Sequence, residues 1–116
     1  MEIKEQRHET YVTLIPVGDL DANSSVELDE RIHAIVESGC SNIHVDGREI
    51  RYISSAGLGV FISYLEELAL RGGRFVVSGL ADNVRDVFQI LGLDKLDHLV
   101  LTDAAPQDDQ LFAAKP

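Results

Sequence analysis

The sequence predicts an α/β domain in which helices pack on a mixed, mostly parallel sheet. Apolar residues recur at helical spacing in three segments, and short runs of strand-forming residues stand before, between and after those segments. The resulting order, β-β-α-β-α-β-α-β, favours parallel pairing through right-handed crossovers. A length of 116 residues with 45% hydrophobic residues fits one core. We therefore expect residues 1–116 to form a single domain.

The N-terminal segment predicts a pair of strands followed by a helix. Residues 11–17 are rich in strand formers, and residues 3–7 alternate weakly, as an outer strand does. Pro16 cannot donate a ladder hydrogen bond, so the second strand either ends there or exposes that position at an edge. Capping residues at 21–25 precede a first helix over about 25–38. Its apolar stripe consists of Leu28, Ile32, Ile35 and Val36.

The middle of the chain predicts a buried strand, a polar loop and the clearest amphipathic helix. Residues 42–46 form the short strand, and a polar loop leads from it to the segment 52–60. The helix beyond ends at the Arg-Gly-Gly run 71–73. Its expected apolar stripe consists of Leu58, Phe61, Ile62, Leu65, Leu68 and Ala69.

The C-terminal part predicts a strand, a third helix and a last short strand. Residues 74–78 and 99–101 are the strands, and the helical stripe between them is formed by Val84, Val87, Phe88 and Leu91. In the tail after residue 101, we expect Leu111 and Phe112 to pin a short final helix to the domain. The chain is expected to fray from about residue 113.

Charge and composition exclude several classes of function. A net charge of −10 repels nucleic acid and anionic lipid, so we expect neither as a partner. No apolar run approaches the roughly 20 residues that span a bilayer, and the start lacks the pattern of a signal peptide. The single cysteine, Cys40, fits a reducing compartment and has no histidine nearby in sequence to activate it. We therefore expect a cytoplasmic protein without direct membrane insertion.

The segment around Ser55 does not match the common motifs of nucleotide binding or hydrolysis. A P-loop needs Lys and Ser or Thr after its last glycine, where Val60 stands, and the dinucleotide pattern needs a third glycine beyond Gly57 and Gly59. A nucleophile elbow needs glycine at the position of Ile53. The sequence therefore predicts no catalytic residue in this segment.

Metal binding and a phospho-accepting aspartate also find little support. Asp46 ends a predicted central strand, and Asp19 with Asp21 could imitate the acidic pair of a receiver domain, but no lysine ends a later strand to complete that site. The four histidines lie far apart in sequence and predict no metal site. They are His8, His33, His44 and His98.

The adjacent hydroxyls of Ser54 and Ser55 stand where the loop turns into the long helix. The first amides of a helix lack intrahelical partners and carry positive partial charge, so a phosphorylated side chain is stabilised there. The simpler interpretation is that one serine only caps the helix, a contribution of about 1 kcal/mol. Likewise, Gly57 and Gly59 could serve only to let the helix approach the sheet. The segment by itself leaves both interpretations open.

Three segments in their order distinguish these interpretations. They are residues 18–21 (Gly-Asp-Leu-Asp), residues 53–59 (Ile-Ser-Ser-Ala-Gly-Leu-Gly) and residues 84–93 (Val-Arg-Asp-Val-Phe-Gln-Ile-Leu-Gly-Leu). With them the chain resembles the STAS-domain anti-sigma factor antagonists from about residue 3 to 112. The resemblance implies a small sheet of about five strands with helices packed mainly on one side.

The resemblance also implies a site of phosphorylation. The family motif is similar to Asp-Ser-Ser/Thr-Gly-Leu-Gly, and its modified residue is the serine directly after the aspartate, which corresponds to Ser55. Two positions depart from the motif, since Ser54 replaces the acid and Ala56 replaces the second hydroxyl. The acceptor is therefore kept, while its acidic neighbour is lost.

The mechanism that the resemblance implies is partner switching. The unphosphorylated domain binds a serine kinase that doubles as anti-sigma factor, the kinase phosphorylates it with ATP, and a serine phosphatase reverses the mark. The domain is then a substrate, not an enzyme, and needs no cofactor. The implied docking surface consists of Asp21, Asn23, Ser54, Ser55, Gly57 and Leu58.

Two other functions remain open from the sequence. The replaced positions 54 and 56 favour a non-switching STAS scaffold, a subunit of a larger signalling or transport assembly that binds its partner constitutively. A domain that binds a nucleotide or another small ligand is the third possibility. Preventing phosphorylation at Ser55 would change the activity of a switching protein but not that of a scaffold.

Overall fold

The structure, a computed structural model that describes residues 1–105, contains six strands, three α-helices and one 3-10 turn in that range. The strands are β1 (Glu2–Arg7), β2 (Val12–Leu20), β3 (Asn42–Asp46), β4 (Ile50–Ile53), β5 (Arg74–Ser78) and β6 (Leu99–Thr102). The helices are α1 (Ala22–Glu37), α2 (Ser55–Leu70) and α3 (Asp82–Ile90), and the 3-10 turn is Leu93–Lys95. The sequence predicts all of these strands and α-helices except β4. The expected final helix at Leu111 and Phe112, and the fraying from residue 113, lie outside the described residues.

Five strands form a continuous sheet in the order β1-β2-β3-β5-β6, and β4 pairs with the far end of β2. The β1–β2 pair is antiparallel, whereas all other pairs are parallel. The expected mixed and mostly parallel sheet is therefore confirmed, with one strand more than the sequence suggests.

Strand β4 corrects the polar loop that the sequence predicts before the helix. Its residues Ile50 and Ile53 are buried, while Arg51 and Tyr52 between them are exposed. The pairing with β2 shifts its register between Gly18 and Asp19, so the regular alternation of buried and exposed residues is broken. Because the expected signal of a strand is this alternation, the sequence does not indicate β4.

Pro16 does not end β2, which continues for four more residues to Leu20. The His8 amide donates to the Tyr11 carbonyl oxygen, so these two residues form a hydrogen-bonded pair at the turn. From there, non-bonded and hydrogen-bonded pairs alternate along the antiparallel strands β1 and β2. That alternation makes Ile3 and Pro16 a non-bonded pair, so the Pro16 nitrogen faces away from β1. On that side β3 pairs only with the first part of β2 and β4 only with the last part. The missing N–H of Pro16 therefore breaks no ladder bond.

The three helices cover one face of the sheet, as the resemblance implies. Their buried apolar side chains join one core with alternate strand residues such as Ile43 and Val77. At the centre of this core, the ring of Phe61 packs edge to face against Phe75 at 5.3 Å and against Phe88 at 5.6 Å. We call this side of the sheet the core face.

One expected position of the α2 stripe is wrong. Ile62 is 49% exposed, whereas Tyr64 is buried and takes part in the core. Helix α2 is apolar on most of its surface, so its sequence contains more than one stripe at helical spacing. Leu58, Phe61 and Leu68 are buried as expected.

The opposite side of the sheet, the second face, carries a small group of mostly polar residues. It consists of Tyr11, Thr13, His44, Val76, Ser78 and Val100. His44 accordingly is a buried histidine of the sheet, whereas His33 is exposed on α1.

Candidate functional site

The start of α1 and the start of α2 lie side by side at one end of the sheet. Strands β2 and β4 are parallel, and their last residues, Leu20 and Ile53, are paired in register. Asp21 and Ser54 follow these residues directly, so the two loops leave the sheet at the same place. The main-chain amide of Ser54 donates to the carbonyl oxygen of Leu20 at 2.9 Å and joins the two loops.

Asp21 caps α1. Its carboxylate accepts hydrogen bonds from the amides of Asn23 at 3.0 Å and Ser24 at 2.9 Å, and its own amide donates to the Ser24 hydroxyl at 2.9 Å. The hydrogen bond from the Ser24 amide, followed by the Ser24 hydroxyl, lowers the pKa of Asp21 below its usual value. Helix α1 thus begins at Ala22 rather than near residue 25. Asp21 and Asn23 are both exposed.

Ser54 and Ser55 have different positions at the start of α2. Ser54 is the capping residue, and its hydroxyl accepts a hydrogen bond from the Gly57 amide at 3.2 Å. Ser55 is the first residue of the helix, and its side chain is exposed. Within residues 1–105 no hydrogen bond involves the Ser55 hydroxyl. The structure therefore assigns the cap to Ser54 and leaves the Ser55 hydroxyl directed to solvent.

The two glycines of the segment have different surroundings. A Cβ atom on Gly57 would lie 2.9 Å from Cγ1 of Ile53 and 3.1 Å from Cβ of Leu20, so this position needs glycine to let α2 approach the strands. A Cβ on Gly59 would meet nothing within 4 Å. Close approach thus explains Gly57 but not Gly59.

Leu58 lies beneath this surface and not on it. Its side chain is 4% exposed and belongs to the core, and Gly57 is buried against the strands. The exposed surface at the two helix starts is thus formed by Asp21, Asn23, part of Ser54 and Ser55. We call these four residues the helix-start surface.

The surroundings of the helix-start surface are mainly acidic. A shallow cleft of about 350 Å³ lies beside Asp21 and Asn23, and it is lined by the carboxylates of Asp19 and Glu27 together with Arg51 and the Met1 ammonium, which pairs with Glu27 at 3.0 Å. No histidine lines this cleft among the described residues.

Asp46 at the end of β3 is held by an ion pair. The guanidinium of Arg48 approaches its carboxylate at 2.7 Å, and the Asp46 side chain is 5% exposed. Burial raises the pKa of Asp46, but the hydrogen bonds and charge of Arg48 outweigh that effect, and the net shift is downward. Across residues 1–105 no group of three or more His, Cys, Asp or Glu side chains could hold a metal ion.

Another cleft, of about 1000 Å³, is an open groove between α3 and β6. Arg85, Lys95 and His98 line it, and none of the residues predicted for the docking surface does. Over the described range no helix is long and apolar enough to cross a membrane.

The fold and the helix-start surface define a small α/β domain that presents an exposed serine at the beginning of a helix. A family model described as "Mlab, STAS domain" matches residues 1–102. The chain belongs to the STAS domain family, as its sequence motifs indicate.

Curated relatives carry the name anti-sigma-B factor antagonist. The protein from Staphylococcus epidermidis is 26% identical over 99 residues, which cover 85% of this chain and 92% of the relative. The protein from Listeria monocytogenes is 29% identical over 96 residues, with 83% of each chain covered. The protein from Staphylococcus aureus is 30% identical over 82 residues, which cover 71% of this chain and 76% of the relative.

Solved structures of anti-sigma factor antagonists share the fold. One from Mycobacterium paratuberculosis has a TM-score of 0.77 at 22% identity, with 95% of this chain and 89% of the other covered. The unphosphorylated form of SpoIIAA has a TM-score of 0.72 at 19% identity, with 89% of each chain covered. The phosphorylated Bacillus SpoIIAA has a TM-score of 0.69 at 20% identity, with 86% and 90% covered.

Proposed function

We propose that this protein is an anti-sigma factor antagonist that acts by partner switching through Ser55. In its unphosphorylated form it binds a serine kinase that doubles as anti-sigma factor, and phosphorylation of Ser55 releases it. A serine phosphatase restores the binding form. The observation that carries the proposal is the exposed Ser55 hydroxyl at the first position of α2, beside the start of α1. The names of the curated relatives support the class.

A phosphate on Ser55 would be compatible with the fold. It adds about −1.5 to −2 charges at neutral pH, and the free amides and dipole at the start of α2 favour negative charge by about 0.3–1 kcal/mol. Ser54 already satisfies the Gly57 amide, so the cap does not depend on the Ser55 hydroxyl. We therefore expect phosphorylation to act on binding and not on folding.

The proposed docking surface is the helix-start surface. Asp21, Asn23, Ser54 and Ser55 contact the partner there, while Gly57 and Leu58 set its shape from below. A phosphate placed in such a contact without a counter-charge costs binding energy through desolvation and through repulsion by Asp21 and its acidic neighbours. The same acidic surroundings suit a partner whose facing surface is basic.

The replacement of the motif aspartate by Ser54 has a specific consequence. Serine and aspartate are both good capping residues, so Ser54 keeps the hydrogen bond to Gly57 that an aspartate would make. What is lost is a negative charge next to the acceptor. We infer that this replacement changes recognition by the kinase and leaves the geometry of the helix start intact.

The protein is the substrate in this scheme and performs no catalysis. Within residues 1–105 the hydrogen bonds of His8, His44 and His98 go to residues other than Ser55, and the scheme requires no cofactor. Its site of action is the cytoplasm, where a sigma factor and its kinase would be found. With a net charge of −10, neither nucleic acid nor a lipid surface is a proposed partner.

The experiment is phosphorylation by the cognate kinase with ATP, followed by mass spectrometry of the modified peptide. We expect one phosphate on the wild-type protein and on Ser63→Ala, and none on Ser55→Ala. Ser63 is a matched control because it is also an exposed serine of α2. An active kinase that leaves Ser55 unmodified would contradict switching.

The second candidate is a non-switching scaffold, favoured by the absence of the aspartate and of the second hydroxyl at positions 54 and 56. The two candidates differ in the cell. In a switching antagonist, Ser55→Ala removes the phosphorylation site and makes the protein permanently active. In a scaffold, the same substitution leaves partner binding and the cellular output of the pathway unchanged. Equilibrium binding with ATP and GTP tests the third possibility, a nucleotide-binding domain.

A further inference from the structure

Gly59 lies at a position of α2 where the domain itself does not need glycine. Its backbone is ordinary helix, and glycine inside a helix is less stable than alanine. A Cβ atom on Gly59 would meet no atom of residues 1–105 within 4 Å, whereas Gly57 is needed for the close approach of α2 to Ile53. Helix α2 therefore has an open space on its outer surface at Gly59, and no described part of the chain fills it.

Ile62 borders this open space. Residues four and seven positions along a helix return to the same face, so Gly59 and Ile62 lie in line with Ser55. The rise of the helix places them about 6 Å and about 10 Å from Ser55 along the axis. Ile62 is 49% exposed, while Ser63 points about 100° away from it around the helix. This line therefore consists of a serine, a gap and an apolar side chain.

Glu66 continues the same line by one more turn. Its side chain is exposed, and no ion pair within residues 1–105 involves it, since Arg71 pairs with Glu67 at 3.2 Å. At the other end, beside the start of α2, lies the carboxylate of Asp21. An apolar centre with charged ends is the usual composition of a protein interface. We call the four residues of this line the outer face of α2: Ser55, Gly59, Ile62 and Glu66.

The helix-start surface alone is smaller than a stable contact with another protein. Such a contact involves roughly 20–30 residues on each side, whereas the helix-start surface has four. A protein that reaches the Ser55 hydroxyl also covers its surroundings, and the outer face continues directly from Ser55. The opposite side of α2 is occupied, because Phe61 packs on Phe88 and the Tyr64 hydroxyl donates to the Asp29 carbonyl at 3.3 Å. The outer face is thus the part of α2 that a partner can contact.

We propose that the serine kinase docks along the outer face of α2 as well as on the helix-start surface. An apolar side chain of the kinase packs over Gly59 against Ile62, and a basic side chain pairs with Glu66. This inference rests on the proposed function and adds to it the chemistry of the kinase surface. Gly59 lets the kinase approach closely, because a larger residue there would hold it away from Ser55. A second copy of this chain fits less well, since each copy has a net charge of −10.

The main test is the affinity of the cognate kinase for Ile62→Ala, measured by isothermal titration calorimetry. We expect binding to weaken roughly tenfold, because the substitution removes a contact at the centre of the interface. Ile90→Ala is the matched control, since Ile90 on α3 is 82% exposed, and it is expected to bind as the wild type does. If the wild type binds and is phosphorylated on Ser55, unchanged affinity of Ile62→Ala overturns this inference and leaves the proposed function intact. Failure of the wild type to bind an active kinase overturns both.

Gly59→Leu separates a role in binding from a role in folding. Leucine is a good helix former and meets open space at this position, so we expect the melting temperature to stay the same or rise. The affinity for the kinase is expected to fall at least as far as in Ile62→Ala, because the new side chain fills the space that the kinase side chain needs. Unchanged affinity contradicts the proposal. If Gly59→Leu destabilises the fold, the exposed substitution Ile62→Ala decides the matter.

Glu66→Lys tests the basic side chain of the kinase. We expect weaker binding, with a larger effect at low than at high ionic strength, because salt screens the charge pair. Glu9→Lys is the control, since it changes the net charge equally at the turn between β1 and β2, and it is expected to have the smaller effect. Equal effects of the two substitutions overturn the contact at Glu66. A dimer of the protein alone that dissociates in Ile62→Ala, seen by analytical ultracentrifugation, overturns the proposal because it assigns the outer face to a second copy.

Discussion

The amide of Ser54 donates to the carbonyl oxygen of Leu20 at 2.9 Å, and this bond joins the loops that start α1 and α2. It continues the parallel pairing of β2 with β4 by one residue, because Leu20 is already paired with Ile53. The exposed Ser55 and the capping Asp21 thereby become neighbours on one surface, although they are far apart in the sequence.

A negative charge at Ser55 is expected to weaken kinase binding without unfolding the protein. Ser55→Asp places the charge at the start of α2, where the helix tolerates it, but inside the proposed contact. We expect affinity to fall roughly tenfold or more, by isothermal titration calorimetry, while the melting temperature stays within a few degrees. Ser63→Asp on the same helix is the control and is expected to bind as the wild type does. Collapse of the fold in Ser55→Asp would instead indicate a structural role for this residue.

Adding a methyl group at the two glycines of α2 is expected to have opposite effects on stability. Gly57→Ala forces a Cβ to within 2.9 Å of Ile53 and 3.2 Å of the Leu20 carbonyl oxygen, at a cost of about 1–3 kcal/mol. Gly59→Ala meets open space inside a helix and is expected to stabilise the protein by about 0.5–1 kcal/mol. Urea denaturation measures both values. Equal effects of the two substitutions would contradict the close approach at Gly57.

Restoring the acid at position 54 is expected to change recognition but not the helix. Ser54→Asp keeps a capping oxygen for the Gly57 amide, whereas Ser54→Ala loses it at a cost of about 1 kcal/mol. Kinetics of phosphorylation by the cognate kinase are expected to be faster for Ser54→Asp than for the wild type. A slower rate with unchanged stability would show that this kinase is adapted to the serine.

Acid is expected to destabilise the protein through His44. Its pKa is about 4 in the folded state and 6.5 in the unfolded state, so the unfolded chain binds more protons between these values. Stability is therefore fully present above about pH 6.5 and falls as the pH drops towards 4, by roughly 3 kcal/mol in total. Urea denaturation between pH 7 and 4.5 measures the slope. His44→Gln is expected to flatten it, and His33→Gln, at an exposed position, is expected to leave it unchanged.

Local patterns in the sequence determined much of the fold and the position of the candidate site. The strands 42–46 and 74–78 and the stripe of α1 could be predicted because a buried strand and an amphipathic helix each have a characteristic local pattern. The motif around Ser55 indicated the family that the comparison with known sequences confirmed. These features depend on residues close together in the chain.

The tertiary structure decided the features that depend on distant residues. Strand β4 forms because β2 continues past Pro16 and offers a free edge for pairing. The residues of β4 do not alternate regularly between buried and exposed, so their local pattern does not indicate a strand. The exposure of Ile62 depends on which stripe of an almost wholly apolar helix meets the strands. Neighbouring positions of Asp21 and Ser54 follow from the same β2–β4 pairing. The sequence motifs indicated six residues for this surface, whereas only long-range pairing and packing determined that Asp21, Asn23, Ser54 and Ser55 are exposed together and that Gly57 and Leu58 lie beneath them.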